Sequence, residues 1–206
     1  TGLTSLDEEH QTEDEEEHGC ADLDGAFGQS GAELPADDDG ERVRGDHPDL
    51  AAGLNNLAAV RRSLGRTAEA ETLQLEALEM SRRLFPGDHD DVALSLNNLA
   101  SVRLQLGRAA DAEPLIAEAL GMYQRLYGNE HPYVAATMTN FARCLSALDR
   151  LPEALARAQA AADMAARVMP EGHPFRKKCD DTLAAIKKKI EDSAKKPATT
   201  SPKPGS

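Results

Sequence analysis

The sequence of 206 residues contains no tryptophan, and aromatic residues of all kinds make up only 3% of the chain. A hydrophobic core must therefore be built from Leu, Ala, Val and Met, a composition that suits closely packed helices. No apolar run approaches the ~18 residues that a membrane-spanning helix needs. The three cysteines are odd in number and form no CxxC pattern, which predicts free thiols in a reducing compartment and hence a cytoplasmic location.

The chain also lacks any excess of positive charge. Residues 1–44 hold 15 acidic and 2 basic residues, whereas the remaining 162 residues hold 21 of each. The whole net charge of −13 therefore belongs to residues 1–44, which we call the leader. Because nucleic-acid binding relies on basic surfaces, a neutral domain behind an acidic leader predicts no nucleic-acid partner. The composition predicts no membrane partner either.

Motifs of enzyme chemistry are missing as well. The sequence has no Gly-rich phosphate loop, nucleophile elbow or zinc motif. Four histidines, spaced 42 residues apart, could suggest a metal site: His47, His89, His131 and His173. Packed helices stand roughly 10 Å apart, too far for side chains that must each lie about 2 Å from one metal ion. We therefore predict no enzyme activity, no cofactor and no metal, and we expect the histidines in loops and helix caps.

What the sequence does contain is an internal repeat. Residues 45–86 are identical to residues 87–128 at 25 of 42 positions, a looser copy covers 129–170, and 171–192 begin a fourth. A period between 20 and 50 residues is typical of a solenoid. Each copy has two apolar stretches of helical spacing, separated by a turn at Leu-Gly-Arg or its equivalent.

These copies predict an all-α fold. We expect an α-solenoid of three antiparallel helical hairpins, closed by a capping helix over residues 171–192. In the first helix, Leu54, Leu57, Ala58 and Leu64 are predicted to face the core, and Thr67 is the predicted N-cap of the second. The leader and residues 193–206 are predicted to be disordered, because they offer too few apolar groups to offset the entropy of ordering.

The pattern within the repeat resembles one family of helical repeats. The period is closer to that of HEAT or armadillo units than to 34 residues, but small residues recur where closely packed helices need them. Alanine follows a large residue in each first helix, and alanines lie seven residues apart in each second helix. Together with Leu-Asn-Asn-Leu-Ala and Leu-Gly-Arg, this pattern resembles the long tetratricopeptide repeats of kinesin light chains over residues 45 to about 190.

Asparagines are the candidate binding residues. Helical spacing predicts that Asn56, Asn98 and Asn140 line one inner face, together with Asn55 and Asn97. An amide both donates and accepts hydrogen bonds, so such a line can pair with the backbone of an extended peptide. The resemblance implies this role for the first three. The alternative is that these amides bond neighbouring helices or loops.

The resemblance implies a non-catalytic adaptor that binds a peptide in its groove. Arg62 and Arg143 near the same face predict a preference for acidic peptides. Kinesin light chains have an acidic leader that competes for the groove, and here residues 21–27, with Leu23 and Phe27 four positions apart, are a counterpart for such an intramolecular contact. Two alternatives are a regulatory or sensor segment of a larger multidomain protein, and an array that self-associates through an exposed repeat face.

Overall fold

The computed structural model describes residues 45–195, which contain seven α-helices and no strand. The first helices of the repeats are α1 (Pro48–Ser63), α3 (Asp90–Gln105), α5 (Pro132–Ala147) and α7 (Pro174–Lys195), and the second helices are α2 (Thr67–Leu84), α4 (Ala109–Tyr127) and α6 (Leu151–Val168). The predicted all-α solenoid of three hairpins and a capping helix is confirmed. The capping helix runs three residues past the predicted boundary, to Lys195. The predictions for the leader and for residues 196–206 lie outside the described residues.

A histidine precedes each first helix and caps it. The Nδ1 atom of His47, His89, His131 and His173 accepts a hydrogen bond from the backbone N–H two residues later, at 3.2 to 3.3 Å. This bond satisfies one of the N–H groups that the start of a helix leaves unpaired, and it requires a neutral imidazole. The prediction that these histidines are cap residues is confirmed.

An arginine precedes each second helix. Gly65, Gly107 and Asp149 occupy equivalent positions, with φ between 60° and 75°, and end the preceding turn in the left-handed conformation. The next residue in each case is Arg66, Arg108 or Arg150, whose guanidinium pairs with an acid in the first turn of the new helix. The sequence predicted Thr67 as the N-cap of α2, and this prediction is wrong. Arg66 is the N-cap, and Thr67 is the first residue of the helix.

The main hydrophobic core spans the second and third repeats and reaches the capping helix. Leu96, Leu99, Ile116 and Tyr123 are at most 2% exposed. The alanines spaced seven apart in the second helices are all fully buried: Ala70, Ala77, Ala112, Ala119, Ala154 and Ala161. Because a small side chain lets two helix backbones approach closely, these positions explain why the repeat retains alanine there.

Two predicted core residues of the first helix are wrong. Leu57 is 42% exposed and Leu64 is 65% exposed, although Leu99, which is equivalent to Leu57 in the next repeat, is 1% exposed. For Leu57 the reason is positional, since α1 begins the described part of the chain and no preceding repeat covers it there. Leu64 follows the end of α1, and its equivalent Leu106 is itself 36% exposed. None of the helices in residues 45–195 combines the length and apolar character needed to span a membrane.

Candidate functional site

The first helices form the inner layer of the array. Each of them contacts the first helix of the next repeat, in the pairs α1 with α3, α3 with α5, and α5 with α7. In the described chain, no second helix contacts another second helix. The first helices therefore lie closer together than the second helices, and this difference curves the array with the first helices on its inner side.

Asn55 and Asn97 occupy equivalent positions and bond forward to the next repeat. Asn55 Nδ2 donates to Ser95 Oγ at 3.2 Å, and Asn97 Oδ1 accepts from Asn140 Nδ2 at 3.1 Å. The exposed fractions of Asn55 and Asn97 are 6% and 2%. Both amides therefore join consecutive first helices, which is the structural alternative that the sequence left open for them.

Asn56, Asn98 and Asn140 also occupy equivalent positions, but their surroundings differ. Asn56 is exposed, whereas Asn98 and Asn140 are 3% and 5% exposed. Asn140 bonds to Asn97 and accepts from Arg143. Within residues 45–195, the buried Nδ2 of Asn98 finds no acceptor and the buried Oδ1 of Asn55 finds no donor. These two residues are the equivalents, one repeat earlier, of Asn140 and Asn97, whose amides bond to each other.

The two candidate arginines lie at different junctions. Arg62 Nη1 donates to Ser101 Oγ at 3.2 Å across the junction of α1 and α3, and Arg143 Nη1 donates to Asn140 Oδ1 at 3.3 Å within α5. Both side chains are half-buried. The structure thus brings Asn97, Asn140 and Arg143 into one network between α3 and α5, while Asn55 and Arg62 form separate links between α1 and α3.

Ion pairs that recur along the array are a feature that the sequence reasoning missed. Three pairs join residues 37 apart, between the residue before each capping histidine and the end of the second helix: Asp46 with Arg83, Asp88 with Arg125, and Glu130 with Arg167. The arginine in each pair lowers the pKa of its carboxyl partner. The signal was present, since an acid and an arginine recur at this spacing in all three repeats.

A second set of ion pairs crosses from one repeat to the next. Glu71 of the first repeat accepts from Arg108 at 2.8 Å and from Arg103 at 3.2 Å. Glu113 of the second repeat accepts from Arg150 of the third at 2.5 Å. Arg108 and Arg150, which precede the second helices, therefore each pair with an acid of the preceding repeat as well as with an acid of their own second helix.

Two cysteines and one cluster of a histidine with two aspartates are the reactive or metal-ligating groups to consider in residues 45–195. Cys144 and Cys179 are free and fully buried, and burial raises the pKa of Cys144 to about 11 and that of Cys179 above its usual range. Because the thiolate is the reactive form, neither thiol is activated at neutral pH. His89, Asp90 and Asp91 could each offer a metal ligand. His89 Nδ1 accepts from the Asp91 N–H, so this nitrogen is used in capping α3, and the three residues are half-buried or exposed.

With this geometry established, comparison with known proteins identifies the family. The tetratricopeptide repeat profile matches residues 49–123 and residues 91–167. The chain belongs to the tetratricopeptide repeat family. Members of this family are protein-interaction modules, and this coarse function follows from membership.

Solved structures of tetratricopeptide repeat proteins share the fold. A putative kinesin light chain with nearly identical TPR-like repeats from Podosopora anserina matches with a TM-score of 0.60 at 21% identity, over 74% of this chain and 72% of that chain. BtubC (BKLC) from P. vanneervenii matches with a TM-score of 0.58 at 22% identity, over 80% of this chain and 72% of that chain. No curated protein sequence matches the chain. The array is thus similar in fold to kinesin light chain-like proteins.

Proposed function

We propose that this array is a non-catalytic adaptor that binds a peptide segment of a partner protein along its inner helices. The observation that supports this function best is the exposed amide of Asn56 on the inner helix α1. This amide offers a donor and an acceptor to the backbone of a bound peptide.

The charge of the inner face favours an acidic peptide. Arg62 and Arg143 bring two guanidinium groups to the inner helices, at the first and second junctions between repeats. A carboxylate on the ligand would gain from their field. The leader, with its net charge of −13, has the same character, so we propose that residues 21–27 compete with the ligand for this face.

The proposed adaptor acts without chemistry and in the cytoplasm. The two described thiols are buried and have raised pKa values, so neither is poised as a nucleophile. Free thiols in the core also suit a reducing compartment, where they remain unpaired.

The experiment that tests this function uses the full chain and two synthetic peptides. One peptide carries an apolar residue among aspartates, and the other carries lysines in place of the aspartates. We expect the acidic peptide to bind and to shift the amide and side-chain NMR signals of Asn56 and Asn98. The substitution Asn56→Ala should weaken binding about three- to tenfold, the value of one exposed hydrogen bond.

The matched control is Thr72→Ala, which removes a polar group from the exposed side of α2. This variant should bind the acidic peptide like the unmodified chain. Equal binding of the acidic and basic peptides would contradict the proposed charge preference. Signals that move only outside the first helices would contradict binding in the groove.

A second experiment tests the proposed competition by the leader. Leu23→Asp together with Phe27→Asp should strengthen binding of the acidic peptide, and unchanged affinity would exclude the competition.

A further inference from the structure

The helix α1 presents an apolar surface that is covered in the other repeats. Leu50, Leu57 and Val60 are 50%, 42% and 53% exposed, whereas their equivalents Val92, Leu99 and Val102 are at most 2% exposed. The equivalents are buried because α3 packs on α2, just as α5 packs on α4. We call the surface formed by Leu50, Leu57 and Val60, with Arg61 and Arg66 at its edge, the α1 end face.

Within residues 45–195, the arginines at the edge of the α1 end face lack an acidic partner that their equivalents in the second repeat have. In the second repeat, Arg103 and Arg108 both pair with Glu71 of the preceding repeat, and Arg108 also pairs with Asp111 of its own second helix. Arg61 and Arg66 are the equivalents of those arginines, and both pair with Glu69 of their own second helix. The described chain supplies no counterpart of Glu71 at this edge. An occupant of the face would complete the arrangement by bringing one carboxylate.

The sequence of the leader does not match the repeat that would cover this face. Shifted by one period of 42 residues, the Asn-Asn-Leu-Ala at 55–58 falls on Glu-Asp-Glu-Glu at 13–16, so the leader does not encode a preceding repeat. A second copy that paired face to face about a two-fold axis would place Arg61 and Arg66 against their own copies. A second copy stacked end to end would present α7, which is a first helix, where the face takes a second helix.

We therefore infer that the α1 end face docks an amphipathic helix of another protein. That helix has the character of the second helices of this array, with one apolar side on Leu50, Leu57 and Val60. It also carries a carboxylate that pairs with Arg66 and Arg61 as Glu71 pairs with Arg108 and Arg103. The α1 end face lies on α1, the first of the inner helices. The docked helix proposed here uses neither Asn56 nor Asn98, so its occupancy does not depend on the peptide binding proposed above.

The test uses a peptide with the sequence of α2, residues 67–84, as the probe, because α2 covers the equivalent face of α3 and carries Glu71. Added to the isotope-labelled full chain, the peptide should shift the amide signals of α1. The variant Val60→Asp should abolish these shifts. Val60 is exposed, so this variant should keep its helical content by circular dichroism. The matched control is Leu75→Asp, at an exposed leucine of α2 outside the face, and it should bind the peptide normally.

The charge pair gives a sharper readout. Arg66→Glu in the chain should weaken binding of the peptide about fivefold, and a peptide with Glu71→Lys should recover most of that loss against this variant. The inference is overturned if the peptide does not bind, if its shifts lie on α3 and α5 instead of α1, or if Val60→Asp leaves binding unchanged.

Two further results would assign the α1 end face to another occupant and overturn the inference. If Leu23→Asp with Phe27→Asp moves the signals of Leu50 and Leu57 but not those of Asn56 in the absence of peptide, the leader covers the face. If light scattering gives twice the mass of one chain, and Val60→Asp restores the single mass, a second copy covers it.

Discussion

The first and second repeats are identical at 25 of 42 positions, yet their equivalent side chains have different surroundings. Leu57 is 42% exposed and Leu99 is 1% exposed; Asn56 is open to solvent and Asn98 is buried. The two repeats share their residues but not their neighbours, because α3 packs on the hairpin before it and α1 has none in the described chain. In a solenoid, stability is therefore a property of the junctions as much as of the repeats.

The largest expected difference is between the two equivalent leucines. Leu99→Ala should lower the free energy of unfolding by about 2 to 5 kcal/mol, because it leaves a cavity in the core of the array. Leu57→Ala should lower it by less than about 1 kcal/mol, since that side chain is already partly exposed. Urea unfolding of the full chain, followed by circular dichroism, measures both. Equal losses would mean that the α1 end face is covered in solution.

The asparagines give the next largest difference. Asn140→Ala should destabilise the chain by about 1 to 3 kcal/mol, because it removes the donor to the buried Asn97 Oδ1. Asn56→Ala, at the equivalent exposed position, should change stability by no more than about 0.5 kcal/mol. Both follow from the same urea titration. If Asn56→Ala were as costly as Asn140→Ala, the amide of Asn56 would have a structural partner in solution.

The ion pairs extend the comparison to charge. Glu71→Gln removes the carboxylate that joins two repeats, and the loss should be on the order of 1 kcal/mol because the pair with Arg103 is mostly shielded from solvent. Glu69→Gln, which affects pairs within one repeat, should cost a few tenths of a kcal/mol. Thermal unfolding at low and high salt compares the two. The effect of Glu71→Gln should persist at ~1 M salt better than that of Glu69→Gln.

The smallest effect should appear in the pH dependence at the junction of the second and third repeats. Burial lowers the pKa of His131, and its Nδ1 accepts from the Tyr133 N–H, so the fold favours neutral His131. The resulting stability is fully present above the unfolded pKa of about 6.5 and is lost as the pH falls through the lowered folded pKa. His131→Asn keeps a capping side chain. This variant should show a smaller change in melting temperature between pH 7 and pH 5 than the unmodified chain.

At pH 8, where His131 is neutral in both states, the His131→Asn variant serves as its own control. Its melting temperature there should lie close to that of the unmodified chain. A variant that retains the full pH dependence would show that other groups, and not His131, cause it.

Much of the fold could be predicted because its signals are local or repeated. The 42-residue period, the histidine before each first helix and the paired alanines of each second helix all recur with constant spacing. The structure puts these residues where the pattern placed them, the histidines on N-terminal N–H groups and the alanines in the core. Where the signal was a single residue, prediction failed: Thr67 reads as a helix cap, but Arg66 precedes α2 and binds Glu69.

The candidate site was less predictable. Asn55 and Asn56 are adjacent in sequence, but a rotation of about 100° per residue points one toward the next repeat and the other away from it. The bond between Asn97 and Asn140 and the pair of Glu71 with Arg108 join residues 43 and 37 positions apart. Such contacts depend on the offset between successive hairpins, which helical spacing within one repeat does not specify. The role of the asparagines in peptide binding stays a prediction.

The sequence by itself determined the helical hairpin, its length and its number of copies, because apolar spacing, turn residues and caps act over a few neighbouring positions. Only the tertiary structure decided which copy of a repeated side chain is core and which is surface. The physical reason is that burial depends on the repeat packed alongside, and two nearly identical segments acquire different roles when one of them stands at the end of the array.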